Sequence, residues 1–204
     1  MTIMKNNKDQ IKAMIGLAET LGCCLVKFNT LQPTAKGKKL HDEGQALSIV
    51  ELIETGRWVE EELSLSSKIK VFYDHPLAFR SLSKMFGSNG DGCGTCGILG
   101  ILGVLSDGSY ALCGIGESVP DLVFGNFKKD SLESIWNNAS MLPKLRKGLP
   151  NLLKGICGDC VMKSICLGGC IAQNYYDGKN LFEPFWYCKK ADSVRLFPDS
   201  RKVM

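Results

Sequence analysis

The 204-residue chain lacks any apolar run long enough to span a bilayer, and it lacks a charged start followed by an apolar stretch. Neither a membrane span nor a secretory leader is therefore expected, and a cytoplasmic location is. Histidine is scarce: His41 and His75 are the only two, and neither has a second histidine or a thiol near it in sequence, so both read as solvated loop residues rather than ligands. No basic stripe is present. The 25 basic and 21 acidic residues are scattered, and a net charge of +4 spread in this way gives nucleic acid nothing to grip. Hydrophobic residues at 45% and charged residues at 23% exclude disordered and collagen-like classes. In a reducing compartment disulfides are not expected either, so the ten cysteines need another explanation.

The densest group of them is CGDCVMKSICLGGC, from Cys157 to Cys170, with C-x2-C-x5-C-x3-C spacing. A hydrophobic core does not require four thiols in fourteen residues; metal or cluster ligation does. Gly155, Gly158, Gly168 and Gly169 suit backbone that wraps closely around an inorganic centre, where positive φ and a missing Cβ are needed. Cys93 and Cys96 form a further C-x2-C pair, and Cys113 and Cys188 stand singly. Cys23 and Cys24 sit at the entrance to an apolar run, with side chains expected on opposite faces, so they read as core packing and not as ligands to one metal. Eight thiols remain, enough for two four-thiolate sites. Ligand type alone admits iron-sulfur clusters or two Zn2+ ions. The tight run favours clusters, because two-cluster ferredoxins let the last cysteine of such a run serve the other cluster.

The rest of the chain alternates helix and strand. Asn7 and Gln10 suggest a capping box for a helix over about residues 8–21, and CCLVKF reads as a strand buried on both faces of a parallel sheet. The stretch 29–44, with Pro33, Gly37 and Gly44, reads as a surface loop. Ser48 and Glu51 cap a helix over about 49–63, whose Glu60, Glu61 and Glu62 are expected to be solvated. IKVFY is a strand, and two apolar arms meeting at Asp107 and Gly108 form a β-hairpin. Asp130 with Glu133 caps a short helix, and another surrounds Leu145. Phe182, Phe185, Trp186 and Tyr187 precede Cys188 as a hydrophobic cover.

Taken together, Cys96, Gly108 with Cys113, the run from Cys157 to Cys170, and Cys188 resemble the SPASM domain, a C-terminal extension of many radical S-adenosylmethionine enzymes that modify peptides and proteins. The resemblance covers roughly residues 88 to 190. It implies two auxiliary [4Fe-4S] clusters, one on Cys93, Cys96, Cys113 and Cys170, the other on Cys157, Cys160, Cys166 and Cys188. Upstream, VKFNTLQPTAKG resembles the last strand and following loop of the radical S-adenosylmethionine partial barrel, with Lys36 where arginine is frequent. The implied fold is α+β: residues 1–87 as the remnant of an α/β partial barrel with its linker, and 88–204 as a cysteine-rich domain with a β-hairpin and short helices around two clusters. The C-x3-C-x2-C motif that holds the S-adenosylmethionine-cleaving cluster occurs nowhere in the sequence. The chain is accordingly expected to be inactive alone and to use S-adenosylmethionine only where the missing barrel is supplied, by a partner or a longer frame. A peptide or protein substrate is implied, with no nucleic acid and no membrane. The competing readings are a zinc-stabilised module that binds peptide or protein, and a free-standing two-cluster electron-transfer protein.

Overall fold

A computed structural model describes residues 1–88 and 92–203. Asn89, Gly90 and Asp91, near the expected start of the cysteine-rich domain, lie outside the described residues. The chain divides into two units, Met1–Arg80 and Ser81–Met204. Helix and sheet are mixed in the way the α+β expectation requires.

In the first unit, strands β1 (Thr2–Ile3), β2 (Leu25–Thr30) and β3 (Lys70–Asp74) form a parallel sheet in the order β1-β2-β3, with Val26 opposite Val71 and Phe28 opposite Tyr73. Strand β2 begins two residues later than expected and is buried on one face only. Val26 and Phe28 point into the core, whereas Leu25 and Lys27 are exposed. An apolar run alone does not reveal that layering, since an exposed leucine looks the same in sequence as a buried one. The core is completed by Ile11, Ile15 and Ala18 of α1 (Ile11–Thr20) and by Leu52 of α3 (Ile49–Trp58). Asn7 does not cap α1. Its Oδ1 accepts from the Met4 N–H at 2.8 Å and its Nδ2 donates to the Thr2 carbonyl at 3.0 Å, bracing the turn between strand and helix. The Ser48–Glu51 capping box is present at the start of α3.

The stretch read as a surface loop contains a helix, α2 (Lys36–Asp42). Pairs spaced four apart, Lys38–Asp42 at 3.3 Å and Lys39–Glu43 at 3.7 Å, support it. His41 is not a solvated loop residue: its Nε2 lies 2.8 Å from the Leu31 carbonyl.

A second correction concerns the glutamate run. Helix α3 passes into a π-helical turn, Val59–Leu63, and then into α4 (Ser64–Ser66). The wider turn directs Glu60 inward, and π turns are the usual way to reorient one side chain in a continuous helix. Glu60 Oε1 lies 3.0 Å from His75 Nε2 and 3.2 Å from Arg80 Nε, with side-chain exposures of 12%, 2% and 2% respectively. Gly56 makes room for this cluster, because a Cβ there would stand 2.8 Å from His75 Nδ1. Burial pushes the Glu60 carboxyl up, but hydrogen bonding and charge from His75, with charge from Arg80, outweigh it and hold the group below its ordinary range. His75 is thus buried beside a carboxylate.

The second unit begins with α5 (Leu82–Phe86), whose N-terminus Ser81 caps by accepting from the Lys84 N–H. Strands β4 (Gly103–Val104), β5 (Ser109–Ala111) and β6 (Val123–Asn126) form an antiparallel sheet. The hairpin turns at Asp107–Gly108 as expected, with Gly108 at φ +86. Strand β6 is additional to the expected pair. Helix α6 (Leu132–Asn138) is capped by Ser131, one residue later than expected. Asp130 Oδ2 instead accepts from the Asn126 N–H at 2.9 Å. Helices α7 (Met141–Gly148), α8 (Gly155–Gly158), α9 (Lys163–Cys166), α10 (Ile171–Gly178) and α11 (Trp186–Ser193) follow, packed on Leu112, Leu122, Leu142, Leu145, Ile171 and Tyr187. Among the described residues no helix is long and apolar enough to cross a membrane.

Glu60→Ala removes the buried carboxylate that Arg80 and His75 share, and is expected to cost about 3 kcal/mol. Because the folded carboxyl titrates below the usual 4.5, its contribution is complete above that pH and is lost as pH falls through the folded value. In denaturant melts the stability gap between wild type and variant should be full at pH 7 and narrow as the pH is taken below 4.5.

Candidate metal centre

The fourteen-residue run is not an open loop. Cys157 lies in α8, Cys160 in the turn after it, Cys166 at the end of α9, and Cys170 at the N-cap of α10. Short helices separated by glycine allow this repeated change of direction. Gly155, Gly168 and Gly169 have φ of +48, +80 and +72, as expected for backbone closing on itself. Gly158 serves differently: its φ is ordinary, but a Cβ would collide with the Leu153 carbonyl.

Cys157, Cys160 and Cys188 are buried, while Cys93, Cys113, Cys166 and Cys170 are half-buried and Cys96 is exposed. Electrostatic interactions link seven of the thiols in two sets. The Cys157 and Cys188 sulfurs share a hydrogen bond, which holds the Cys157 thiol below its ordinary range and, together with burial and the charges of Cys157, Cys166 and Cys160, drives Cys188 well above it. Burial and the Cys157 charge push Cys160 up. In the second group, Cys170 is pushed up to about 11 by burial first and then by Cys113 and Cys96, and burial followed by the Cys113 charge raises Cys96. Cys170 therefore lies electrostatically with cysteines more than fifty residues before it and not with its sequence neighbours. Cys93 is half-buried three residues before Cys96, and its membership of that group rests on the resemblance alone. Among the described residues, no three His, Cys, Asp or Glu side chains are placed as a ready-made metal site.

The donor set nonetheless suits a soft, thiolate-bound centre. Several sulfurs receive backbone N–H groups: Met162 N to Cys160 Sγ and Phe185 N to Cys157 Sγ, both at 3.4 Å. The N–H groups of Gln173 and Ala172 reach Cys170, and that of Ile98 reaches Cys96. Such contacts favour the thiolate form and tune any cluster bound there. Sequence reasoning missed these donors, because backbone groups carry no residue-type signal. It also missed the C-terminal strap. Val161 N donates to the Arg201 carbonyl at 2.9 Å and Val203 N to the Asp159 carbonyl at 2.7 Å, so the segment after Pro198 runs against the Cys157–Cys160 knuckle. Arg201 and Lys163 bring positive charge to Cys160.

Of the expected aromatic cover, Phe182 and Tyr187 are buried, and Phe185 packs on Gly169, where a Cβ would stand 2.9 Å from the ring. Cys23 and Cys24 overturn their core assignment, since both are exposed in the turn between α1 and β2. The strand starts beyond them, at Leu25, so the pair never enters the sheet.

Comparison with known proteins places this geometry in context. A family model for the SPASM iron-sulfur cluster-binding domain matches residues 85–161, which include five of the eight cysteines. An AdoMet-dependent heme synthase of Methanosarcina barkeri is 30% identical over 198 residues, covering 92% of this chain and 54% of the relative. A solved structure described as native anSMEcpe with bound AdoMet and Cp18Cys peptide shares the fold, with a TM-score of 0.56 at 16% identity, over 96% of this chain and 54% of the other. The chain thus spans about half the length of the proteins it matches.

Gly168→Ala tests the tight backbone between the two groups. A left-handed alanine costs ~1–2 kcal/mol, and here its Cβ would also stand 2.6 Å from the Leu153 side chain. The variant should melt earlier and retain less metal. Gly16→Ala, in an open position within α1, should instead be neutral or stabilising by up to ~1 kcal/mol in the same thermal melts.

Proposed function

We propose, from the premise that this chain belongs to the radical S-adenosylmethionine proteins bearing a SPASM domain and is the C-terminal part of one, that its eight clustered thiols hold two [4Fe-4S] clusters serving substrate binding and electron transfer. One cluster is assigned to Cys93, Cys96, Cys113 and Cys170, the other to Cys157, Cys160, Cys166 and Cys188. The observation that supports this reading is the interleaving: the charges of Cys113 and Cys96 act on Cys170, while those of Cys157, Cys166 and Cys160 act on Cys188. A pair of simple zinc knuckles has no need for the last cysteine of one run to serve the other site.

When bound, such clusters supply one-electron chemistry. The chain's own residues do the rest. Four thiolates per site leave no open iron position, which argues for electron relay or structure and against Lewis-acid catalysis. The N–H groups of Met162, Phe185 and Gln173 donate to sulfur and so partly offset the cost of burying charge there, and Phe182, Phe185 and Tyr187 keep water from the Cys157 side. Cleavage of S-adenosylmethionine is assigned to a C-x3-C-x2-C core that this sequence does not contain, supplied by a partner or by further chain.

A peptide or protein is the proposed substrate, supported by the peptide bound in the fold neighbour. The relative at 30% identity favours a second reading, in which the substrate belongs to heme formation instead. Cluster ligation is common to both.

Anaerobic reconstitution followed by iron and sulfide analysis should find about eight of each per chain. Fewer than about four irons, or a colourless protein with about two zinc ions, would reject the cluster reading. Cys160→Ala should halve the iron and spare the first site, whereas Cys170→Ala should empty the site of Cys113. Loss of the Cys157 site in Cys170→Ala would refute the interleaved assignment.

A further inference from the structure

Helices α10 and α11 each carry or adjoin a cysteine of a different group, Cys170 at the start of one and Cys188 within the other. Between them lies a cavity of about 40 Å³, lined by Gln173, Asn174, Asp177, Glu183, Trp186 and Lys189. Its chemistry is one-sided. Asn174 is 4% exposed, and its Nδ2 donates to the Gly168 carbonyl at 2.9 Å, which fixes the amide orientation and leaves Oδ1 as an acceptor. No donor among the described residues reaches Asn174 Oδ1, nor Gln173 Oε1 beside it. Asp177 and Glu183 add carboxylates. Glu183 can turn toward the cavity because residue 178 is glycine; a Cβ there would stand 2.6 Å from its Cγ. One of its oxygens accepts from Lys154 Nζ at 2.9 Å, and the other remains.

A buried amide oxygen without a donor costs roughly 1–3 kcal/mol, so a fold that keeps two such atoms together calls for a ligand there. One water could donate to both amide oxygens; it is the carboxylates of Asp177 and Glu183 at the same space that distinguish a cation site from a water site. Mixed carboxylate and amide oxygens around a volume for a single particle are the donor set of a hard cation. We propose that this cavity binds one hard, oxygen-ligated cation, which ties α10 to α11 and so links the two thiol groups. Lys189 lines the same cavity and Lys154 pairs with Glu183, so the two carboxylates are balanced in formal charge and the site suits a weakly held ion, monovalent or divalent. Nothing in this depends on what the thiols themselves hold.

The full chain, purified anaerobically with its thiol sites filled, is titrated calorimetrically with CaCl2 and, separately, with KCl in a buffer free of both ions. Saturable one-to-one binding in either arm is expected, weakened at least tenfold by Asp177→Ala and by Gln173→Leu. Both substitutions spare the Asn174–Gly168 hydrogen bond, and unchanged metal content in the thiol sites verifies that the variants are folded. Absence of saturable binding in both arms, which would leave the cavity to water, or binding untouched by both substitutions, would overturn the proposal.

Discussion

Packing sulfur against sulfur in a protein interior is costly once the sulfurs are charged, and the second unit is arranged around that cost. Cys157, Cys160 and Cys188 are all buried, and the hydrogen bond between Cys157 and Cys188 holds one thiol below its ordinary range while it drives the other above. Removing every proton at once would place several negative charges within one small volume, which only a multivalent centre can neutralise. The surrounding structure is consistent with that demand. Backbone N–H groups point at sulfur, Arg201 and Lys163 approach Cys160, and α8, α9 and α10 are kept short so that each turn delivers a ligand. Little of this unit would be needed if the thiols were ordinary core residues.

How legible this was in the sequence depends on what each feature requires. Ligation demands one residue type at limited spacings, so eight cysteines stand out as candidates before any fold is known, and three of the four glycines around them hold the backbone angles expected. Cys23 and Cys24 were misplaced because cysteine also behaves as a small apolar residue; only the start of β2 at Leu25 shows that they lie outside the sheet. Strand β6 has the short sequence VFGN, which no alternation rule distinguishes from a loop. Helix α2 begins with KGKK, where a glycine and clustered lysines hide the pairs that stabilise it.

The first unit shows a deeper limit. Three consecutive glutamates look like a solvated helix surface, and a histidine before proline looks like a turn. Yet Glu60, His75 and Arg80 form one buried ionic cluster. Its members meet because the helix widens by one residue per turn just there and because position 56 carries no side chain. Both conditions are matters of three-dimensional register, and composition carries no trace of either. Buried charge of this kind adds little net stability compared with an apolar core, but it penalises every arrangement in which the partners are mismatched.

The grouping of Cys170 with Cys96 and Cys113 also orders events during synthesis. A ribosome delivers Cys96 and Cys113 long before Cys170, and it delivers the Cys157–Cys166 run before Cys188. Neither set of interacting thiols is complete until its last member emerges, Cys170 in one and Cys188 in the other. A centre that needs Cys170 could therefore be inserted only after every other thiol of its set has long been made, and one that needs Cys188 later still.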